Sequence, residues 1–210
     1  MSRQLPADQP EHWSVVRSAE LLPREFVGVR RDTVTGPDGA VFDRDVVLHD
    51  DAVGVVVLDE REHVLLLGQY RHAVGHRLLE APAGLLDVPG EPAPTAAARE
   101  LAEEAGVEAA DWRVLVDAFS SPGFSTEAWR VYLARDIRAI PAEDRSERQH
   151  EEADLVEHWV PLDVAVQAVL EGRITDSMSV MGLLAAWTAR AGAGFDALRL
   201  VDAPWAARDR

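Results

Sequence analysis

Residues 99–107 read Arg99-Glu100-Leu101-Ala102-Glu103-Glu104-Ala105-Gly106-Val107. On a helix, Glu100, Glu103 and Glu104 stand at i, i+3 and i+4 and project from one sector about 100° wide. Ala98, Leu101 and Ala105 fall on a different face, suited to packing on a sheet. Thr95 is placed to cap a helix over residues 96–105, and Gly106 stands where a C′ glycine ends one. Three carboxylates this close repel one another, by about a few tenths of a kcal/mol per i,i+4 pair at an exposed site. A cation compensates such a cluster, and carboxylate oxygens without imidazole or thiolate suit the hard ions Mg2+ or Mn2+. Taken alone, Glu-x-x-Glu-Glu also fits a solvated acidic helix face. Its neighbours argue for more. Upstream lies Glu80-Ala81-Pro82-Ala83-Gly84, where glycine permits a close backbone approach, and Arg99 can tie the helix to Glu91 in the preceding loop.

Outward from this helix the pattern is that of an α/β chain. Residues 53–58 and 63–67 are continuous apolar runs joined by Asp59-Glu60-Arg61-Glu62, which predicts a hairpin of central strands covered on both faces. Residues 112–119 and 129–133 read as strands broken by Ser120-Ser121-Pro122-Gly123, and residues 135–154 as a long polar loop. A strand at 158–160 precedes helices near 164–170 and 177–190. Before the core, residues 25–49 alternate like a small meander with a turn at Gly36-Pro37-Asp38-Gly39, and residues 1–20 form a loose lead-in.

Composition narrows the chemistry. At 210 residues and 47% hydrophobic, the chain affords one sizeable domain with at most a small appended element. It has no cysteine and no lysine, which removes thiolate metal sites, cysteine nucleophiles, Schiff bases and the lysine phosphate loop. A net charge of −16 is the wrong sign for nucleic acid or an anionic membrane. An anionic substrate therefore needs a divalent metal or locally gathered arginines. No leader-like or membrane-spanning apolar run stands out, so a cytoplasmic location is expected. The seven histidines lack metal-ligand spacing on a common helix, and Ser121 and Ser125 have no companion His-Asp arrangement.

The stretch resembles the signature of the Nudix hydrolase family, G-x5-E-x7-R-E-U-x-E-E-x-G-U with U aliphatic. From Glu91 onward every position is met: Glu91, seven residues, Arg99, Glu100, Leu101, Glu103, Glu104, Gly106 and Val107. One departure stands upstream, where six residues rather than five separate Gly84 from Glu91. The resemblance implies a Nudix α/β/α sandwich with a mixed sheet, preceded by a small N-terminal antiparallel β domain. It implies that Glu100 and Glu104 bind divalent metal, that the Ala83 carbonyl is a further ligand, and that Glu103 serves another metal or water activation. Arg99 and Glu91 are then a brace.

Gln69-Tyr70-Arg71, Leu79-Glu80-Ala81-Pro82-Ala83-Gly84 and Ser121-Pro122-Gly123-Phe124-Ser125-Thr126-Glu127 are similar to segments of the ADP-ribose pyrophosphatases of that family, over roughly residues 26–186. That similarity implies Mg2+-dependent hydrolysis (Mn2+ substituting) of ADP-ribose to AMP and ribose 5-phosphate. It implies a homodimer built through residues 1–48, with residues 49–210 catalytic. Arg44 and Arg71 would contact the diphosphate or the adenine side, Glu80 and Gly84 would line the ligand, and Glu127 would approach the terminal ribose or the metals. Phe26 is an aromatic that could stack on adenine across the dimer. The general base is expected on the loop before the last core strand, as Glu151 or its rival Glu152. The alternatives are another nucleoside diphosphate derivative (nucleotide sugar, NADH, flavin dinucleotide) or a non-catalytic ADP-ribose-binding regulator.

Overall fold

In the computed structural model, which describes residues 7–24, 26–145 and 154–208, the described residues form three sheets and three α-helices. Strands β1 (Val15–Leu22), β2 (Gly28–Thr35) and β3 (Val41–Leu48) make an antiparallel sheet of their own. Next come β4 (Ala52–Val57), β5 (His63–Arg71), β6 (His76–Glu80), β7 (Ala83–Leu85) and α1 (Ala93–Ala105). Strands β8 (Val107–Phe119), β9 (Ala128–Ala139) and β10 (Val156–Pro161), helices α2 (Leu162–Leu170) and α3 (Ser177–Ala191), and β11 (Arg199–Leu200) complete the chain. The largest sheet has the order β11-β8-β9-β4-β7 and is mixed, because β4 runs parallel to β9. The third sheet is β10-β5-β6. Among the described residues no helix is long and apolar enough to cross a membrane.

The continuous apolar runs have a simple origin. Alternate residues of β4 and β5 feed two separate cores. Val53, Val55, Val57, Leu65 and Leu67 pack with Ala96, Ala97 and Leu101 of α1. Val56, Val64 and Leu66 pack with Leu162, Ala165, Leu183 and Ala186 of α2 and α3. The result is the expected α/β/α sandwich. Leu101 is fully buried, and burial of one leucine stabilises by roughly 1.5–3 kcal/mol, so α1 is anchored by its apolar face.

Several expectations are corrected. Residues 53–58 and 63–67 are strands but not a hairpin: apart from an isolated Leu58–Val64 bridge, they lie in different sheets. Both edges of β4 are already taken by β9 and β7, so its backbone has no vacancy for β5. The chain instead turns a corner, with the Asp59 carboxylate accepting the Arg61 and His63 N–H groups at 2.8 and 2.7 Å and Glu62 in the left-handed region at φ 59°. The lead-in contains β1, whose backbone pairs with β2 although its side chains are exposed throughout. Strand β9 continues to Ala139, opposite Val107, and shortens the loop expected from residue 135. Helix α1 begins at Ala93 behind Pro92, which places Thr95 inside the first turn, where prolines at 92 and 94 cost no hydrogen bond. Its other end is as expected: Gly106 is left-handed at φ 61° and donates to the Ala102 carbonyl at 3.0 Å. Ala98 is exposed, and Ala97 takes the sheet-facing role assigned to it.

Candidate functional site

The three glutamates of α1 are graded in burial. Glu104 is buried, Glu100 nearly so, and Glu103 has 41% of its side chain exposed. This gradient follows from the helix lying on the end of β7. The Glu104 carboxylate accepts the Ala83 backbone N–H at 2.9 Å. Glu100 lies over Gly84 so closely that a Cβ there would stand 2.0 Å from its Cδ, which explains why position 84 carries no side chain. Arg99 neutralises the cluster from one flank. Its guanidinium grips both oxygens of Glu91 at 3.1 Å each, and its Nη1 donates to Glu100 at 2.7 Å and to Glu103 at 3.2 Å. The Glu91 hydrogen bonds, aided by Glu100, raise Arg99 above the ordinary guanidinium range against the cost of desolvation. The same hydrogen bonds hold Glu91 below the usual carboxylate range. Between Gly84 and the helix the chain makes a turn in which the Glu91 N–H donates to the Val88 carbonyl at 3.1 Å and Gly90 has φ 80°.

A second carboxylate–arginine pair closes the adjoining wall. Arg71 at the end of β5 donates through Nε at 3.0 Å and Nη2 at 2.6 Å to Glu80, which is buried at the end of β6. The Glu80 hydrogen bond raises the Arg71 pKa against desolvation, and Glu104 and Asp176 add to the rise, so these acids share one field. The peptide that follows Glu80 is clamped from several sides. Ala81 N–H donates to the buried Ser179 hydroxyl at 2.7 Å, that hydroxyl donates to Asp176 at 2.6 Å, and the Pro82 carbonyl accepts from Val55 N–H at 2.8 Å. Ser179 and Asp176 were not singled out from sequence. Asp176-x-x-Ser179 is the N-cap signal of α3, and it was there to be read.

Arg71, Glu80, Ala83, Gly84, Glu100, Glu103 and Glu104 thus fall in one continuous region where β5, β6, β7 and α1 meet. Glu127 lies on the loop before β9, with its carboxylate 3.2 Å from His49 Nδ1. Arg44 is elsewhere: it is exposed on β3, stacked 4.3 Å from the Phe42 ring centre and donating to the Asp43 carbonyl at 3.0 Å. Glu151 and Glu152 lie outside the described residues. Among the described residues no three His, Asp or Glu side chains converge as a ready cation cage. The donor chemistry nevertheless fits a hard divalent ion: oxygen donors only, held over a glycine whose missing Cβ leaves room for the Glu100 carboxylate.

Comparison with known proteins gives a family and a fold. The NUDIX domain family matches residues 48–178. The chain is 43% identical over 196 residues to an ADP-ribose pyrophosphatase of Mycobacterium tuberculosis, covering 93% of this chain and 92% of the relative. It is 31% identical to a methanol dehydrogenase activator of Bacillus methanolicus, over 80% of this chain and 89% of that one. A crystal structure of an ADP compounds hydrolase, 20% identical, superposes with a TM-score of 0.75 over 90% of this chain and 99% of its own.

Proposed function

The chain belongs to the NUDIX family of hydrolases, and on that premise we propose that it cleaves the pyrophosphate bond of ADP-ribose, releasing AMP and ribose 5-phosphate. The observation that carries the reading is the seating of Glu100 and Glu104 against Gly84 and the Ala83 N–H, a set of hard oxygens beside the Arg71–Glu80 pair. Nudix hydrolases generally use divalent metals. Here Glu100, Glu104 and the Ala83 carbonyl would hold Mg2+, with Mn2+ a substitute, and Glu103 would serve a further ion or the water. When bound, such an ion would supply Lewis acidity to the diphosphate and lower the pKa of the attacking water.

The protein's own groups do the rest. Glu80 occupies the Nε and Nη2 edge of Arg71, which leaves Nη1 to donate to a phosphate oxygen. Glu80 and Gly84 line the nucleotide, and Glu127 receives the terminal ribose. Glu151, with Glu152 as rival, removes the proton from water. Residues 1–48 pair two subunits into a homodimer, through which Arg44 and Phe26 reach the ligand, and residues 49–210 are the catalytic unit. The working enzyme is a cytoplasmic homodimer. The test is AMP release from ADP-ribose with Mg2+, beside a panel of nucleotide sugars, NADH and flavin dinucleotide, with Glu104→Gln in parallel. Metal-dependent turnover favouring ADP-ribose and lost in the variant is expected. Preference for another panel member overturns the substrate, and binding without turnover makes the protein a regulator.

A further inference from the structure

The chain changes sheets between Glu80, the last residue of β6, and Ala83, the first of β7, so residues 81 and 82 belong to neither strand. Pro82 has no N–H to be held by, which leaves the Ala81 N–H as the backbone donor of this crossing. That donor is buried and ends on the fully buried Ser179 hydroxyl at 2.7 Å. The hydroxyl spends its own proton on Asp176 Oδ2 at 2.6 Å, and the Ser179 N–H donates to the same oxygen at 2.8 Å. The N-cap of α3 therefore orients the hydroxyl, with a lone pair turned to Ala81. Helix α3 can come this near because position 54 of β4 is glycine: a Cβ there would collide with the Met178 thioether.

The register of β7 then decides where Ala83 points. Val55 N–H donates to the Pro82 carbonyl at 2.8 Å, and Leu86 N–H donates to the Asp51 carbonyl at 2.8 Å. Both bonds fit one ladder, in which Gly54 lies opposite Ala83. Hydrogen-bonded and non-hydrogen-bonded pairs alternate in an antiparallel ladder, so Gly54–Ala83 is of the second kind. Both backbone polar groups of Ala83 thus face away from β4, off the end of the sheet. Glu104 takes the N–H on that side at 2.9 Å, and the Ala83 carbonyl leaves the strand on the same side, that of α1.

From this geometry we propose that Ser179 is a positioning residue for the divalent-metal site: through the Ala81 N–H it fixes the crossing that aims the Ala83 carbonyl. This role rests on the reading of that carbonyl as a metal ligand beside Glu100 and Glu104. Without the hydroxyl, the Ala81 N–H would be a buried donor lacking a partner, and the crossing would shift to relieve it. A shift at residues 81–82 moves the Ala83 peptide, whereas the glutamates of α1 stay on their own helix. Metal sites are sensitive to such support, because ligands held in place beforehand need not be ordered by the ion.

The test measures Mn2+ binding to the substrate-free protein, by electron paramagnetic resonance of the free ion, in Ser179→Ala, Ser179→Cys, Leu183→Ala and Glu104→Gln. Thermal unfolding of each variant is recorded alongside. Ser179→Ala is expected to weaken Mn2+ binding about tenfold, the lower end for lost support of a metal ligand. Ser179→Cys keeps nearly the same shape with a weaker acceptor, so it should fall between the two and carries the test if the alanine variant does not fold. Leu183→Ala empties the core under the same helix without touching Ala81. It should lower the unfolding temperature at least as much and leave Mn2+ affinity within about twofold. An unchanged affinity in Ser179→Cys, or an equal loss in Leu183→Ala, would overturn the positioning role. Either result, with Mn2+ binding still lost in Glu104→Gln, sinks that role alone. If Glu104→Gln binds Mn2+ normally, the metal site itself has been misplaced.

Discussion

Strands β4 and β1 are both rich in aliphatic residues, four valines and an alanine in β4 and two valines, two leucines and an alanine in β1, and they have opposite surroundings. Every residue of β4 is buried; every residue of β1 is exposed. The difference lies in what surrounds each strand. Strand β4 has β9 and β7 on its edges, α1 over one face, and α2 and α3 over the other. Strand β1 has β2 on one edge, and it leaves Val15, Val16, Leu21 and Leu22 each 51–63% exposed. A strand of apolar residues is therefore compatible with a core and with a surface that a second molecule would cover, and local composition does not separate the two. Among the described residues, the sheet around β4 is covered by helices on both faces, whereas the N-terminal sheet leaves the apolar side chains of β1 exposed.

Substitutions break the comparison at different depths. The largest effect belongs to the core. Leu101→Ala, which empties the space between α1 and β4, is expected to cost about 2–5 kcal/mol in urea unfolding; a loss below 1 would mean that α1 is not anchored as described. Next is the pair of Asp117 and the buried Arg130, joined by hydrogen bonds of 2.7 and 2.9 Å. Desolvation pushes Asp117 up, but Arg130 and Arg199 outweigh it and hold the carboxyl below its ordinary value. The ionised form is thus favoured by folding. Its stabilisation is complete above the unfolded value near ~4 and disappears as pH falls through the lower folded one. Asp117→Asn should cost about 3 kcal/mol at pH 7, and the gap from the unsubstituted protein should narrow on acidification through that window. A gap independent of pH would show that the charge is not the cause.

Gly84→Ala separates function from stability. The three atoms nearest the new Cβ all belong to the Glu100 side chain, which can swing aside, so the fold should survive while the carboxylate is displaced. Turnover is expected to fall about 10- to 100-fold, the range for disturbed metal-site support, with little change in unfolding temperature. Retained turnover would remove Glu100 from the reading of the site. The smallest effect tests the sheet itself. In dilute monomer, Leu22→Ala should cost less than about 0.5 kcal/mol. A cost that rises with protein concentration is what dimerisation through this sheet demands, and a flat one ends that proposal.

The helix of carboxylates was legible because its information is local. Spacing alone put Glu100, Glu103 and Glu104 on one sector, and Gly106 marked the end of the helix. The two-sided burial of β4 and β5 was legible for the same reason, as unbroken apolar runs. Their placement in different sheets was not, since a hairpin and a sheet corner read alike when the partners, β9 and β10, lie far along the chain. Strand β1 was missed because its evidence is a backbone ladder with β2, which leaves no periodic trace in its side chains.

By itself, then, the sequence determined the chemistry on offer: an acidic helix with hard oxygen donors, arginine as its only strong cation, and the NUDIX signature in register from Glu91. Only the tertiary structure decided how those groups are held. It laid Glu100 over Gly84, drew Glu80 onto Arg71, left Arg44 exposed on the N-terminal sheet, and brought Glu127 within 3.2 Å of His49. The physical reason is range. Helix faces and strand periods are set by neighbours a few residues apart. Hydrogen bonds such as His49 to Thr126, 77 residues apart in sequence, exist only once the sheets have packed.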